Sequence, residues 1–184
     1  IRLSLVGSEM CIRDSPSTGK VEMATVTNNT CYHNDTDETY TGEITLSYIQ
    51  NSTIENNIFY TKNSETVLMT TSEPIPTVTI DYNVYYVPSG ANDMVIEVNY
   101  TGYYEFSTYQ NSTSKDEHSI FANPQFENEN LANINLHLQD NSPAINAGNP
   151  FFQADVEETD IDGQNRIIDN LSLIHISEPT RLRR

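Results

Sequence analysis

Apolar and polar residues alternate in short runs through the middle of the chain. A period of two puts successive side chains on opposite faces of an extended segment, so these runs predict strands. Four of them stand at residues 44–49, 67–71, 94–98 and 134–138, rich in Ile, Val, Leu and Thr. Such residues suit a pleated, half-buried surface. Residues 107–119 are polar and lack the alternation, which predicts a short helix or an excursion.

The pattern also repeats at long range. ATVTNNTCYH from Ala24, STIENNIFYT from Ser52 and VTIDYNVYYV from Val78 align without gaps, with periods of 28 and 26 residues. Val26, Ile54 and Ile80 then fall at one step of successive strands, where they can stack inward. Cys31, Phe59 and Tyr85 form a second expected inward stack, and Tyr32, Tyr60 and Tyr86 a third. Asn29, Asn57 and Asn83 fall where each strand stops. Asn tolerates the left-handed backbone and hydrogen-bonds like a turn, so a recurrent bend is expected there. Units that bury apolar residues only against their neighbours make a parallel β-solenoid. A β-sandwich would not need the same bend residue at the same step.

The two ends differ in character from this middle. Residues 6–15 can be encoded by a DNA whose reverse complement encodes Leu171 to Pro179 and the start of Thr180, and that DNA resembles a transposase end used in sequencing libraries. Residues 1–15 and 171–184 are therefore expected to be adapter-derived, with the true termini of the protein elsewhere. A signal peptide fits residues 1–15 poorly, because Gly7, Ser8 and Glu9 interrupt the apolar run and no small-residue cleavage site follows.

Charge narrows the partners. The 184 residues carry a formal net charge of −17, and without the two ends only Lys20, Lys62, Lys115 and Arg166 remain as cations. Nucleic acid, anionic membrane and polyanionic polysaccharide are disfavoured, since each needs clustered Lys and Arg. No apolar run reaches the about 20 residues that span a bilayer. With Cys31 alone between the ends, no disulfide framework is expected within residues 16–170. Sequons at Asn28, Asn34, Asn51, Asn99 and Asn111 fit an extracellular surface, though a chain this rich in Asn and Thr generates them by chance.

HSIFANPQF from His118, LHLQDNSPAINAGNP from Leu136 and DIDGQNR from Asp160 follow in an order and spacing that resemble the last coils of bacterial right-handed parallel β-helix proteins of the pectate-lyase-like superfamily. The resemblance covers most of residues 24–168. It implies an all-β, right-handed parallel β-helix, with residues 16–170 forming the C-terminal coils and cap of a secreted or cell-surface protein. Members include polysaccharide lyases, glycoside hydrolases, epimerases and noncatalytic surface proteins, and the fold does not choose among them.

The chemistry in the residues is sparse. A lyase needs a base and a cluster of cations or a metal to hold the developing enolate, and four scattered cations do not supply one. The NTD, DD, GHG and RIK motifs typical of polygalacturonase-like hydrolases are absent. No catalytic, cofactor-binding or metal-binding residue is therefore assigned. Asp155, Glu157, Glu158, Asp160, Asp162 and Gly163 gather hard oxygen donors of the kind calcium takes, but with no full loop pattern ending in a bidentate Glu they are read as an acidic solvated turn in which Gly163 supplies a special backbone angle. His33, His118 and His137 lack the spacing of zinc ligands. The repeated tyrosines offer either a platform for sugar rings or internal stacking. Two readings follow. One is a carbohydrate-active β-helix protein, a polysaccharide binder, lyase or hydrolase as a whole, whose catalytic constellation is incomplete here. The other is a noncatalytic adhesin or structural solenoid.

Overall fold

The computed structural model describes residues 5–6, 21–34, 42–62, 67–71, 75–90, 94–153, 159 and 162–163. Short strands dominate: β1 (Leu5–Val6), β2 (Val21–Glu22), β3 (Thr25–Thr27), β4 (Thr30–Tyr32), β5 (Ile44–Leu46), β6 (Ile49–Gln50), β7 (Thr53–Glu55) and β8 (Ile58–Tyr60). They continue with β9 (Val67–Thr71), β10 (Thr79–Asp81), β11 (Val84–Tyr86), β12 (Val95–Val98) and β13 (Thr101–Tyr103). After the helix α1 (Phe106–Thr113) come β14 (Ile120–Phe121), β15 (Phe126–Asn128) and β16 (Asn135–Leu138). The expected strand at 44–49 is two strands, parted at Tyr48, whose φ of 54° breaks the extended run.

The three sequence repeats are β3–β4, β7–β8 and β10–β11, and they pair in parallel at the offsets the sequence sets. Val26 lies beside Ile54, and Ile54 beside Ile80. Cys31 lies beside Phe59, and Phe59 beside Tyr85. Ile54, Ile80, Phe59 and Tyr85 are buried in the larger core with Leu46, Met94 and Ile96, and the Phe59 and Tyr85 rings stack at 5.3 Å.

The bend between the paired strands carries the ladder. Asn57 Oδ1 accepts from both the backbone N–H and Nδ2 of Asn29, at 3.0 Å each. Asn83 Oδ1 accepts the same pair from Asn57, again at 3.0 Å. Each side-chain amide thus satisfies buried main-chain groups that the turn leaves out of the sheet ladders. The left-handed residues are the ones before: Asn28, Asn56 and Tyr82, with φ of 60°, 59° and 55°. This corrects the expectation that the repeated Asn itself takes the left-handed angle. One residue makes the corner, and the next aims its amide along the stack.

The third inward stack also needs correction. Tyr32, Tyr60 and Tyr86 are in register, but strand alternation turns them to the face opposite Cys31, Phe59 and Tyr85. They do not meet solvent freely there. With Ile58 and Val84 they form a second core beneath Phe126, Leu138 and Ala144. The antiparallel pair β15–β16 and residues 142–149 lie over this face; Tyr60 Oη donates to Glu129 Oε2 at 2.6 Å, and Asn149 N donates to Asn56 Oδ1 at 2.8 Å.

At the far end of the ladder the repeat stops. The step from Val84 to its partner Ile120 is 36 residues, and the extra chain holds the α1 excursion expected at 107–119. Tyr109 of α1 is fully buried against the larger core. Asp116, also fully buried, accepts from Asn83 Nδ2 and Ser119 Oγ on one oxygen and from Tyr85 and Tyr109 hydroxyls on the other, at 2.5–3.2 Å. A carboxylate that only accepts ends a chain of amide donors. At the opposite end Leu5–Val6 pairs with Cys31–Tyr32. An open strand edge pairs through its backbone, whatever the side chains of its partner.

Two outcomes test this frame. Asn57→Ala strands the buried groups that Asn57 bonds, so denaturant unfolding should show a loss of about 3 kcal/mol, against about 0.5 kcal/mol or less for exposed Thr79→Ala. Burial raises the pKa of Asp116 above the ordinary carboxylate value, and its four donors oppose but do not cancel that rise. Its contribution to stability is therefore fully present below about pH 3.9 and is lost as pH rises through the raised value. Wild-type stability relative to Asp116→Asn should fall with rising pH across that window in urea titrations.

Candidate functional site

Strand alternation sends Thr25, Thr53 and Thr79, and then Thr27, Glu55 and Asp81, to the face opposite Val26, Ile54 and Ile80. Glu55 and Asp81 stand side by side on neighbouring strands, spaced about 4.8 Å at the backbone. Asn149 Nδ2 donates to Glu55 at 3.1 Å.

Asp81 organises the corner that follows it. Its Oδ1 accepts the N–H of Tyr82 at 2.9 Å and that of His118 at 2.7 Å, while Oδ2 lies 2.7 Å from His118 Nδ1. A carboxylate on Nδ1 keeps the proton there and leaves Nε2 as the ring's other polar atom. The imidazole lies parallel to the Tyr82 ring, with centroids 4.7 Å apart and planes within 4°. The His118 side chain is 54 % exposed, whereas that of Asp81 is 17 % exposed. The hydrogen bond and the charge of Asp81 raise the pKa of His118 above its ordinary value. A stacked ring pair is thus held at the surface beside the carboxylate of Asp81.

The residues singled out from the sequence scatter. His33 stacks on Tyr32, with ring centroids 3.9 Å apart. His137 meets Asp162 at 2.7 Å and contacts Asn135. Gly163 has φ of 78°, the angle expected of it as a turn residue. Asp155, Glu157, Glu158 and Asp160 lie outside the described residues, as do Lys20 and Arg166. Among the described residues no three His, Cys, Asp or Glu side chains gather to hold a metal. Lys115 donates through Nζ to Val78 O at 2.5 Å, which commits it to the frame. Tyr32 and Tyr60 are covered and offer no open platform. Of the three histidines only His118 joins an exposed cluster. The signal that would have marked this site is Tyr82, which stands where the other two repeats have Asn28 and Asn56.

This chain is 31% identical over 127 residues to the uncharacterized protein YwoF of Bacillus subtilis strain 168, an alignment covering 68% of this chain and 26% of that protein. The chain thus spans about a quarter of the length of that relative. No family model matches, and no solved structure matches. No helix among the described residues is long and apolar enough to cross a membrane.

Because Asp81 raises the His118 pKa, the pair favours the folded state fully below the ordinary histidine value and loses that contribution as pH rises through the raised one. NMR titration of the His118 ring should give a pKa above that of free histidine, and Asp81→Asn should bring it down. An unchanged value in Asp81→Asn would mean the contact is not formed in solution.

Proposed function

We propose that residues 16–170 are the C-terminal coils of a secreted or cell-surface right-handed parallel β-helix protein of the pectate-lyase-like kind, working on polysaccharide by binding it. The observation that carries this reading is the fixed parallel register at 28 and 26 residues, with one Asn in each unit bonded to the next. Each unit buries its apolar side chains against its neighbours, which is how such solenoids are built. The α1 cap and Asp116 support placing these units at the C-terminal end, since together they close the core and terminate the ladder.

Within this reading the present segment binds without cleaving. Lys115 is spent on a main-chain carbonyl, which removes one of the few cations that a lyase site would need. The same observation favours the second reading, a noncatalytic adhesin or structural solenoid, over a lyase site within these units.

The test is to express the chain and the complete gene from its source side by side. Each would be offered insoluble and soluble polysaccharides, neutral and acidic, with and without calcium. The chain should be retained on a polysaccharide and release no new reducing or unsaturated ends. Turnover by the chain that Asp162→Asn abolishes would overturn the binding-only reading, and failure of both proteins to bind any polysaccharide would leave the adhesin.

A further inference from the structure

We propose that the Tyr82–His118 ring pair, with Asp81, Glu55, Thr53 and Thr79 beside it, is a binding subsite for a neutral saccharide. The proposal rests on the carbohydrate-binding reading above and gives it a place and a ligand class.

The first observation is a residue choice. The corner position of the repeat takes Asn28, Asn56 and Tyr82, all left-handed. Asn is the side chain that tolerates this angle best after Gly, and a bulky ring there is disfavoured. Both Asn28 and Asn56 are buried, whereas Tyr82 is partly exposed and puts its ring on a histidine that is itself 54 % exposed. Packing of the core therefore does not account for the tyrosine. Tyr48 and Tyr100 take the same angle elsewhere, so what sets Tyr82 apart is the imidazole its ring meets.

The second observation is the orientation of that surface. The stack covers one face of each ring, and the half-exposed His118 imidazole on Tyr82 offers an aromatic surface on which the C–H side of a pyranose ring can pack through dispersion and expelled water. Around it the chemistry is hydrogen-bonding. Carboxylate oxygens of Asp81 and Glu55 accept hydroxyl protons, and the Thr53 and Thr79 hydroxyls, one strand apart in register, both donate and accept. Asp81 is fixed by three contacts from Tyr82 and His118, so the acceptor and the ring face are held in one geometry before any ligand arrives.

Charge selects the class. Asp81, Glu55 and Glu117 lie around the rings, and all three act electrostatically on Tyr82. In a chain of net charge −17 these repel uronate or sulfated sugars. An uncharged polyhydroxylated ligand meets no such barrier.

The test is an NMR titration of the whole chain with soluble gluco-, manno- and xylo-oligosaccharides and, as the anionic counterpart, an oligogalacturonate. Tyr82→Asn restores the residue found in the other two repeats, so it removes the ring while keeping the corner. His118→Ala removes the second ring, and Tyr100→Ala removes a surface tyrosine that is 79% exposed elsewhere. Saturable shifts of the Tyr82 and His118 ring signals are expected with a neutral oligosaccharide and not with the oligogalacturonate. Tyr82→Asn and His118→Ala should each weaken binding about tenfold or more, and Tyr100→Ala should leave it unchanged. Neutral-sugar binding that persists in both variants overturns this site and leaves the carbohydrate reading standing. Stronger binding of the oligogalacturonate overturns the ligand class. Absence of binding by every sugar overturns the site and counts against the carbohydrate reading together.

Discussion

The side-chain amide at one position of each repeat is the constraint on which the rest of this structure depends. Strands of three residues have few backbone bonds of their own, and the corner between two of them leaves buried N–H and C=O groups unmatched. The Asn29, Asn57 and Asn83 amides meet those groups and bond to one another along the stack. Each amide both donates and accepts, so the bonds run in one direction. Asn83 hands its donors to Ser119, Asp116 and Ile54, where the series closes.

Because the ladder sets the register to the residue, alternation decides everything on either side of it. Val26, Ile54 and Ile80 face the larger core, and Thr27, Glu55 and Asp81 necessarily face away. One strand later the same rule turns Phe59 inward and Ile58 and Tyr60 outward, yet all three are buried. Two cores back to back on one strand require a cover on the outside. The β15–β16 pair and the residues after it supply that cover, and the Glu129 contacts of Tyr32 and Tyr60 tie it down.

The candidate site grows from the same frame. Asp81 occupies the outward step that Glu55 and Thr27 occupy in the other units, and Tyr82 the corner step of Asn56 and Asn28. What differs is the loop that returns after α1. It brings His118 to within 2.7 Å of Asp81, across 37 residues of sequence. The ring pair is thus a local elaboration of a repeated position, built where the repeat ends and the chain is free to depart from it.

By itself the sequence determined the strands of the three repeats, their period and their register, because a side-chain alternation of two and a recurring Asn are local chemical patterns that survive without knowledge of the fold. Val67–Thr71 has the bounds the alternation predicts, and the excursion expected at 107–119 overlaps α1, which starts one residue earlier at Phe106. The face of Tyr32, Tyr60 and Tyr86 follows from alternation, but tertiary structure alone decided what covers them, since that depends on a segment about 100 residues away along the chain. It decided that the corner angle belongs to Asn28, Asn56 and Tyr82 rather than to their neighbours: either residue of Asn28-Asn29 or Asn56-Asn57 can make a turn until the ladder claims one of them, and Tyr82 takes the same step although Asn83 tolerates the angle better. It also decided that His118 meets Asp81 and that His33 and His137 do not. Contacts at such separations follow from where the chain returns, and no spacing within a short motif records that.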